Sequence, residues 1–499
     1  MNQSAGFRLR ISGNDFLLCA ALFFLNFYIK YPFITLRDLS WDEPFSVFYA
    51  QYPLPKMLVE LFKGNNPPLW ELILKIQTFL FGMSETSVRM PSLIASCFTA
   101  VFAFLAGKRF KGTWAGLFVA LLFTFNTTLF FYSLVARAYA LFALLVTASI
   151  YYCVLLYQES GKTEYRNRLL VVNILMCYTH YFAFLVLAAQ GIAWLFTRRE
   201  KPFFSAMGKV LGYSALSTLP LFVIFLLRDY EVVPPTPFVS PDTYQLRNPA
   251  IVWFNGLKTF EALLQILGAG VLSNIVFSLM SGKFEWKGTF LFVLFLLLFL
   301  IPVALTWSFS ATYPVFLDRY YMYSAIPLYL FLVWLLHFMY KKAGDYWPVL
   351  FMAYLFRFEV REFVKMPDDY LMRKWKGATL EAKALQEKNK GAIILIQPLW
   401  AELGFAYYYN RDIFHDPEHH NDALRSYNVH RLISPDTLVK IIAANPGAPL
   451  VYYCDESAQH IDSTNDANIK HILRRGYVRD TTVFYPLCTN VVLFTPEKK

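Results

Sequence analysis

Apolar blocks about as long as a bilayer is thick recur along this chain, and a water-soluble fold has no interior large enough to bury them all. A helix needs about 20 residues to cross the hydrocarbon layer. Blocks of that kind run near 15–35, 89–107, 114–132, 138–157, 169–179, 182–197, 210–228, 258–280, 289–308, 321–340 and 346–360. Composition agrees: 57% of the residues are hydrophobic and 16% are charged, against about 25% charged in a typical soluble domain. The expected fold is a polytopic α-helical membrane protein with about 11 transmembrane helices. No small-residue cleavage site follows the first block, so an uncleaved anchor is expected there and not a removable signal.

The net charge of +11 raises nucleic acid as a partner. The basic residues, however, lie in short clusters between the apolar blocks, where they set orientation, and no nucleic-acid role is expected. With Arg8 and Arg10 in the cytoplasm, the clusters at 108–111, 162–168, 198–201, 283–287 and 341–342 also fall inside, provided the long run 169–196 is split near His180. That topology exports Asp42, Glu43, Arg137, His180, the Pro-rich loop 232–241 and Arg319 to one face. It also exports everything after the last span. The chain therefore divides into a transmembrane module, 1–360, and an extracytoplasmic domain, 361–499. The latter alternates helical stretches (368–389, 399–409, 435–444, 467–475) with strand-like runs (392–397, 450–454, 482–485, 491–495), the pattern of a small α/β sheet.

Directly after the first span comes Trp41-Asp42-Glu43. A carboxylate pair at a membrane edge needs a reason. One is capping: Ser40 or Asp42 accepting from the first turn, with Glu43 and Pro44 favoured by the helix dipole. Catalysis is the other, and the two are compatible. The loop holding the pair, 36–88, has helices of its own. Leu69, Leu72, Ile73, Ile76, Phe79 and Leu80 make an apolar stripe opposed by Glu71, Lys75, Gln77 and Thr78, which predicts a helix lying in the membrane interface.

Trp41-Asp42-Glu43 with Phe45, Asn65-Asn66-Pro67-Pro68-Leu69-Trp70, Phe81-Gly82, Arg89-Met90-Pro91-Ser92 and Tyr132-Ser133 with Ala136-Arg137-Ala138-Tyr139 follow one another in an order that resembles the GT-C membrane glycosyltransferases. Within them the chain is most similar to bacterial relatives of dolichyl-phosphate-mannose–protein mannosyltransferase, glycosyltransferase family 39. The resemblance is continuous over the first 145 residues or so, and Asp318-Arg319-Tyr320 with Pro327 adds a weaker echo. It implies transfer of a sugar from a polyprenyl-phosphate donor, a membrane lipid, to a glycan, lipid or protein acceptor on the outer face, with inversion. The family's loop acid carries over onto Asp42, with Glu43 beside it. Arg137, Arg319 and His180 are the expected partners of the donor phosphate, and Tyr139, Tyr320 and Asn66 the expected substrate contacts. Family loops carry a carboxylate before the arginine where this chain has Leu134-Val135, so no second acid is expected there.

Chemistry favours one carboxylate. A polyprenyl phosphate leaves as a stable anion and needs positive charge to receive it, not the acid a glycosidase supplies to its leaving group. Plain alternatives stand beside each assignment: Arg137 snorkelling to headgroups, Arg319 paired locally with Asp318, His180 structural, Arg89 anchoring its helix at the interface. No His/Cys cluster has ligand spacing, so a divalent ion beside Asp42 and Glu43 is unsupported and no cofactor is expected. His415, His419 and His420 with Asp416 and Glu418 read as a solvated loop. Trp400, Phe405, Tyr407, Tyr408 and Tyr409 read as core more readily than as sugar platforms. Cys454 and Cys488 fall where a bridge is permitted. The competing classes are a polyprenyl-linked glycan flippase, which would place charges near the midplane, and an envelope-assembly scaffold, which would leave the acid pair idle. The expected location is the bacterial inner membrane, amino terminus inside and C-terminal domain outside.

Overall fold

The computed structural model describes residues 13–39, 42–64, 66–227, 248–266, 289–310, 316–340, 346–366, 375–455, 461–485 and 489–497. Expectations resting on Arg8, Arg10, Ser40, Trp41, Asn65, the loop 232–241, most of the block 258–280, the basic residues at 283–287 and 341–342, and Cys488 lie outside them. The chain forms two compact units: 1–32, 92–223 and 239–365 make the first, and 33–91, 224–238 and 366–499 the second.

Among the described residues six helices are long and apolar enough to cross a membrane: Gly13–Phe33, Glu85–Lys111, Tyr139–Gln158, Lys201–Leu227, Phe290–Phe309 and Asp318–His337. Shorter apolar helices span Thr113–Thr124 and Ala183–Leu195. The block expected at 114–132 is broken, because Asn126 starts a new helix, Thr127–Tyr132, by accepting from the Leu129 N–H at 2.8 Å. Backbone freed inside an apolar bundle must find partners. Here Asn126 donates to the Val252 carbonyl at 2.8 Å, Asn255 accepts from the Thr127 N–H at 2.6 Å, and the Tyr329 hydroxyl donates to the Trp253 carbonyl at 2.5 Å. The run 169–196 is two helices, Thr163–Thr179 and Ala183–Leu195, parted at His180. Gly116 lets two helices touch: a Cβ there would lie 2.4 Å from the Phe104 carbonyl oxygen.

In the second unit a five-stranded sheet has the order β2-β1-β3-β5-β4, with β1 Ile393–Gln397, β2 Val429–Arg431, β3 Leu450–Asp455, β4 Tyr477–Tyr485 and β5 Thr489–Pro496. Strand β1 runs parallel to β2 and β3, while β5 is antiparallel to β3 and β4. Alternate residues Ile393, Leu395, Leu450, Tyr452, Cys454, Val492 and Phe494 point into one core with Leu438, Ile442 and Ile472. Phe405, Tyr407 and Tyr409, weighed above as sugar platforms, are buried. Strand β2 and the helices Arg411–His415 and His420–Ser426 were not expected; each is too short to show a period.

The first-loop helices Asp42–Tyr49, Leu54–Lys63 and Leu69–Phe81 fold into this same unit. The Phe48 ring meets Phe414 and His420 edge-on at 5.3 and 4.9 Å. The Leu39 N–H donates to the Tyr408 hydroxyl at 2.6 Å, the Lys376 N–H to Asp38 at 2.8 Å, and the Tyr407 hydroxyl to the Met83 carbonyl. Helix Leu69–Phe81 turns a mixed face inward, with Trp70, Glu71, Leu74 and Thr78 buried. Glu71 is buried and accepts from Ser46 at 2.9 Å, and Lys75 donates to the Tyr52 carbonyl at 2.7 Å, while Ile76, Phe79, Leu80 and Phe81 are exposed. An apolar face turned outward suits a lipid boundary and not water.

Candidate active site

Each unit holds one of the two charged constellations singled out from the sequence. In the second unit, helix Asp42–Tyr49 opens on the acid pair, and the two carboxylates have different surroundings. Glu43 is 1% exposed. Its Oε2 accepts from Arg37 at 2.7 Å and from Arg89 Nη2 at 2.9 Å, and its Oε1 from Arg89 Nε at 2.8 Å. Arg89 is equally buried and donates onward to the carbonyls of Ile34 at 2.8 Å, Arg37 at 2.6 Å and Asp38 at 3.0 Å. A buried carboxylate with both oxygens in a bidentate guanidinium grip is held in place. Its neighbour Asp42 is only half-buried.

The two acids of the pair thus differ in their surroundings. Glu43 fixes the first turn of the helix, and Asp42, one residue away, is carried in a defined position with access to its surroundings. Arg89, read from sequence as a helix anchor at the interface, is instead the structural counter-charge of Glu43. Sequence reasoning missed this pairing and that of Arg37. The signal available was an arginine in an apolar span with an unexplained carboxylate upstream. Asn66 lies half-buried between helices Leu54–Lys63 and Leu69–Phe81 of this unit.

In the first unit three separate connections meet. Arg137 stands just before helix Tyr139–Gln158, His180 between helices Thr163–Thr179 and Ala183–Leu195, and Arg319 in the short helix Asp318–Tyr321. Aromatic rings join them: His180 stacks on Phe142 at 4.9 Å and lies 6.2 Å from Tyr139 and 6.1 Å from Tyr320. The guanidinium of Arg137 sits 5.9 Å from the Tyr139 ring centre, and that of Arg319 sits 5.3 Å from Tyr320. Ser92 supports the Arg137 loop by donating to the Val135 carbonyl at 2.6 Å. Leu134 and Val135 are buried.

Burial first, and then the nearby charges of Arg137 and Arg319, hold the His180 imidazole well below its ordinary value. Its Nδ1 accepts from the Phe182 N–H at 3.2 Å, which leaves the ring proton of the neutral form on Nε2. His180 is thus a neutral donor within the electrostatic reach of Arg137 and Arg319. Two guanidiniums and a donor among aromatic walls are suited to an anionic group attached to something apolar. Among the described residues no group of three His, Cys, Asp or Glu side chains is placed to hold a metal ion.

Residues 65–226 match the family model described as dolichyl-phosphate-mannose-protein mannosyltransferase. A search of curated protein sequences gives no match. Among solved structures, ArnT from Cupriavidus metallidurans bound to undecaprenyl phosphate is 12% identical with a TM-score of 0.56, over 97% of this chain and 98% of that one. The apo form of the same enzyme gives 11% and 0.56, over 96% and 98%. The Archaeoglobus fulgidus oligosaccharyltransferase in complex with Zn and sulfate gives 9% and 0.51, over 95% of this chain and 72% of that one. At such identities the likeness is one of fold, and it extends along nearly the whole chain. The chain is thus similar in fold to these membrane glycosyltransferases along nearly its whole length, and it resembles the mannosyltransferase family model across the stretch that holds Arg89, Arg137, Tyr139 and His180.

Proposed function

We propose that this protein moves a sugar from a polyprenyl-phosphate carrier to an acceptor hydroxyl on the extracytoplasmic face of a bacterial inner membrane, with inversion at the anomeric carbon. The observation that carries the reading is the convergence of Arg137, His180 and Arg319 from three connections onto one aromatic cluster. The likeness to a structure bound to undecaprenyl phosphate supports the choice of carrier. Asp42 accepts the acceptor's hydroxyl proton as that oxygen attacks the anomeric carbon. The bond to the phosphate oxygen breaks, and the polyprenyl phosphate leaves with the electron pair, stabilised by Arg137, Arg319 and the His180 N–H. Tyr139 and Tyr320 line the donor, and Asn66 contacts substrate. Glu43 takes no proton; gripped by Arg37 and Arg89, it positions Asp42. The C-terminal α/β region lies outside the cytoplasm and takes part in acceptor recognition.

The test is mass spectrometry of envelope glycans and glycolipids from a strain lacking the protein, complemented with wild type or with Asp42→Asn at matched membrane abundance. A single sugar-sized mass loss restored by wild type alone is expected, and it would also identify the sugar and acceptor. Full restoration by Asp42→Asn would remove Asp42 from the chemistry.

A further inference from the structure

One edge of the sheet in the second unit carries a further charged feature, separate from both constellations above. Strand β2 is the edge strand, and between it and the helices His420–Ser426 and Pro435–Ala444 lies a cavity of about 220 Å³. Arg425, His430, Arg431, Thr437 and Lys440 line it, and among the described residues no carboxylate does.

The cationic lining is built from behind. Arg431 donates from Nη1 to Glu402 Oε2 at 2.9 Å, and Glu402 Oε1 is 3.0 Å from His420 Nε2. The side chains of Glu402 and His420 are each 5% exposed, whereas that of Arg431 is 32% exposed. Burying such a chain costs desolvation that an apolar trio would avoid. It fixes the guanidinium in one orientation, leaving its other N–H groups for the cavity. Among the described residues the ion pair of Arg425 is a surface one with Asp422 at 3.6 Å, the sort that contributes little and yields readily. Lys440 has no ion-pair partner among the described residues. Donors therefore approach from a strand and two helices, with Thr437 adding a hydroxyl, which matches a tetrahedral oxyanion better than a planar carboxylate.

We propose that this cavity binds a phosphate group, presented either by an anionic lipid headgroup or by a soluble phosphorylated molecule. The proposal stands apart from the donor chemistry, since it uses no residue assigned to transfer and binding is read directly.

The experiment is hydrogen–deuterium exchange of peptides covering residues 421–441 in the full-length protein. In one arm the protein is in phosphate-free maltoside micelles and titrated with sodium pyrophosphate against sodium chloride at equal ionic strength. In the other it is in nanodiscs of phosphatidylcholine with or without phosphatidylglycerol. Lys440→Gln and Arg425→Gln are the variants, both exposed and neither partnering a buried charge. Protection by pyrophosphate, with an apparent Kd raised about tenfold in each variant, supports the site with a soluble ligand sufficing. Protection only with phosphatidylglycerol, lost in the variants, supports it with the headgroup as source. No protection in either arm, protection matched by chloride, or protection unchanged in both variants overturns it.

Discussion

Replacing Glu43 by Gln keeps the shape of the side chain and removes the charge that Arg37 and Arg89 share. Arg89 is 1% exposed and remains charged, so the substitution leaves a guanidinium in the interior with neutral oxygens, the carbonyls of Ile34, Arg37 and Asp38 among them, in place of its carboxylate partner. Breaking a buried pair from one side costs about 3–5 kcal/mol. In a domain of about 200 residues, 1 kcal/mol moves the unfolding midpoint by about 2–4 °C, so a drop on the order of 6–20 °C is expected. Asp42→Asn, one residue away but half-buried, should shift the midpoint by no more than about 2 °C while lowering turnover by about 10²–10⁴-fold. The assay is thermal unfolding of the detergent-solubilised protein followed by intrinsic fluorescence, with transfer rates on the same preparations. Because the double change leaves Arg37 alone unpaired and not both guanidiniums, Glu43→Leu with Arg89→Met should be less destabilised than the sum of the single changes. A Glu43→Gln protein as stable as wild type would refute the argument, as would additive losses in the double variant.

Other outcomes rest on the same geometry. Arg137→Ala and Arg319→Ala should each raise KM for a polyprenyl-phosphate sugar by about tenfold or more with little change in unfolding temperature, the loss of one charge-assisted contact; unchanged KM in both would count against the donor reading. The depressed pKa of His180 means that the unfolded chain takes up a proton there before the folded one does. Its contribution to stability is thus fully present above about pH 6.5 and is lost as pH falls below it, a slope that His180→Phe should flatten in a midpoint-against-pH series. Gly116→Leu should abolish the monodisperse peak in size-exclusion chromatography, since even a Cβ would sit 2.4 Å from a backbone oxygen.

Much of the bundle was legible because a bilayer imposes one rule on every crossing, a long apolar run without free backbone groups. The break at His180 was visible because the charge pattern required it. The break at Asn126 was not, since one amide that caps a helix inside an apolar block looks like any tolerated polar residue. In the second unit the strands β1, β3, β4 and β5 announced themselves through β-branched and aromatic runs, whereas β2 is three residues of edge whose pairing comes from the tertiary fold. That the two acids of the pair have different surroundings was not legible. Which carboxylate is gripped and which is left accessible depends on Arg37 and Arg89, and sequence distance hides the fact that Arg89 returns to the turn it helps hold. The helix Leu69–Phe81 was legible in its period, and the apolar residues Ile76, Phe79 and Leu80 of its expected stripe are exposed.

The second unit is stitched from stretches made at opposite ends of synthesis. Phe48, Leu39 and Met83 emerge early, yet the residues they rest on, Phe414, His420, Tyr408 and Tyr407, come after the whole of 92–374 has been translated. At ~5–20 residues per second the interval is on the order of tens of seconds. During it the segment 33–91 lacks half its surroundings while its bilayer-seeking helix can already settle, so the nascent chain is moored before it is folded. A ribosome that stalls near the end would leave a membrane-inserted protein whose first loop has nothing to close upon, and quality-control proteases should meet that loop first.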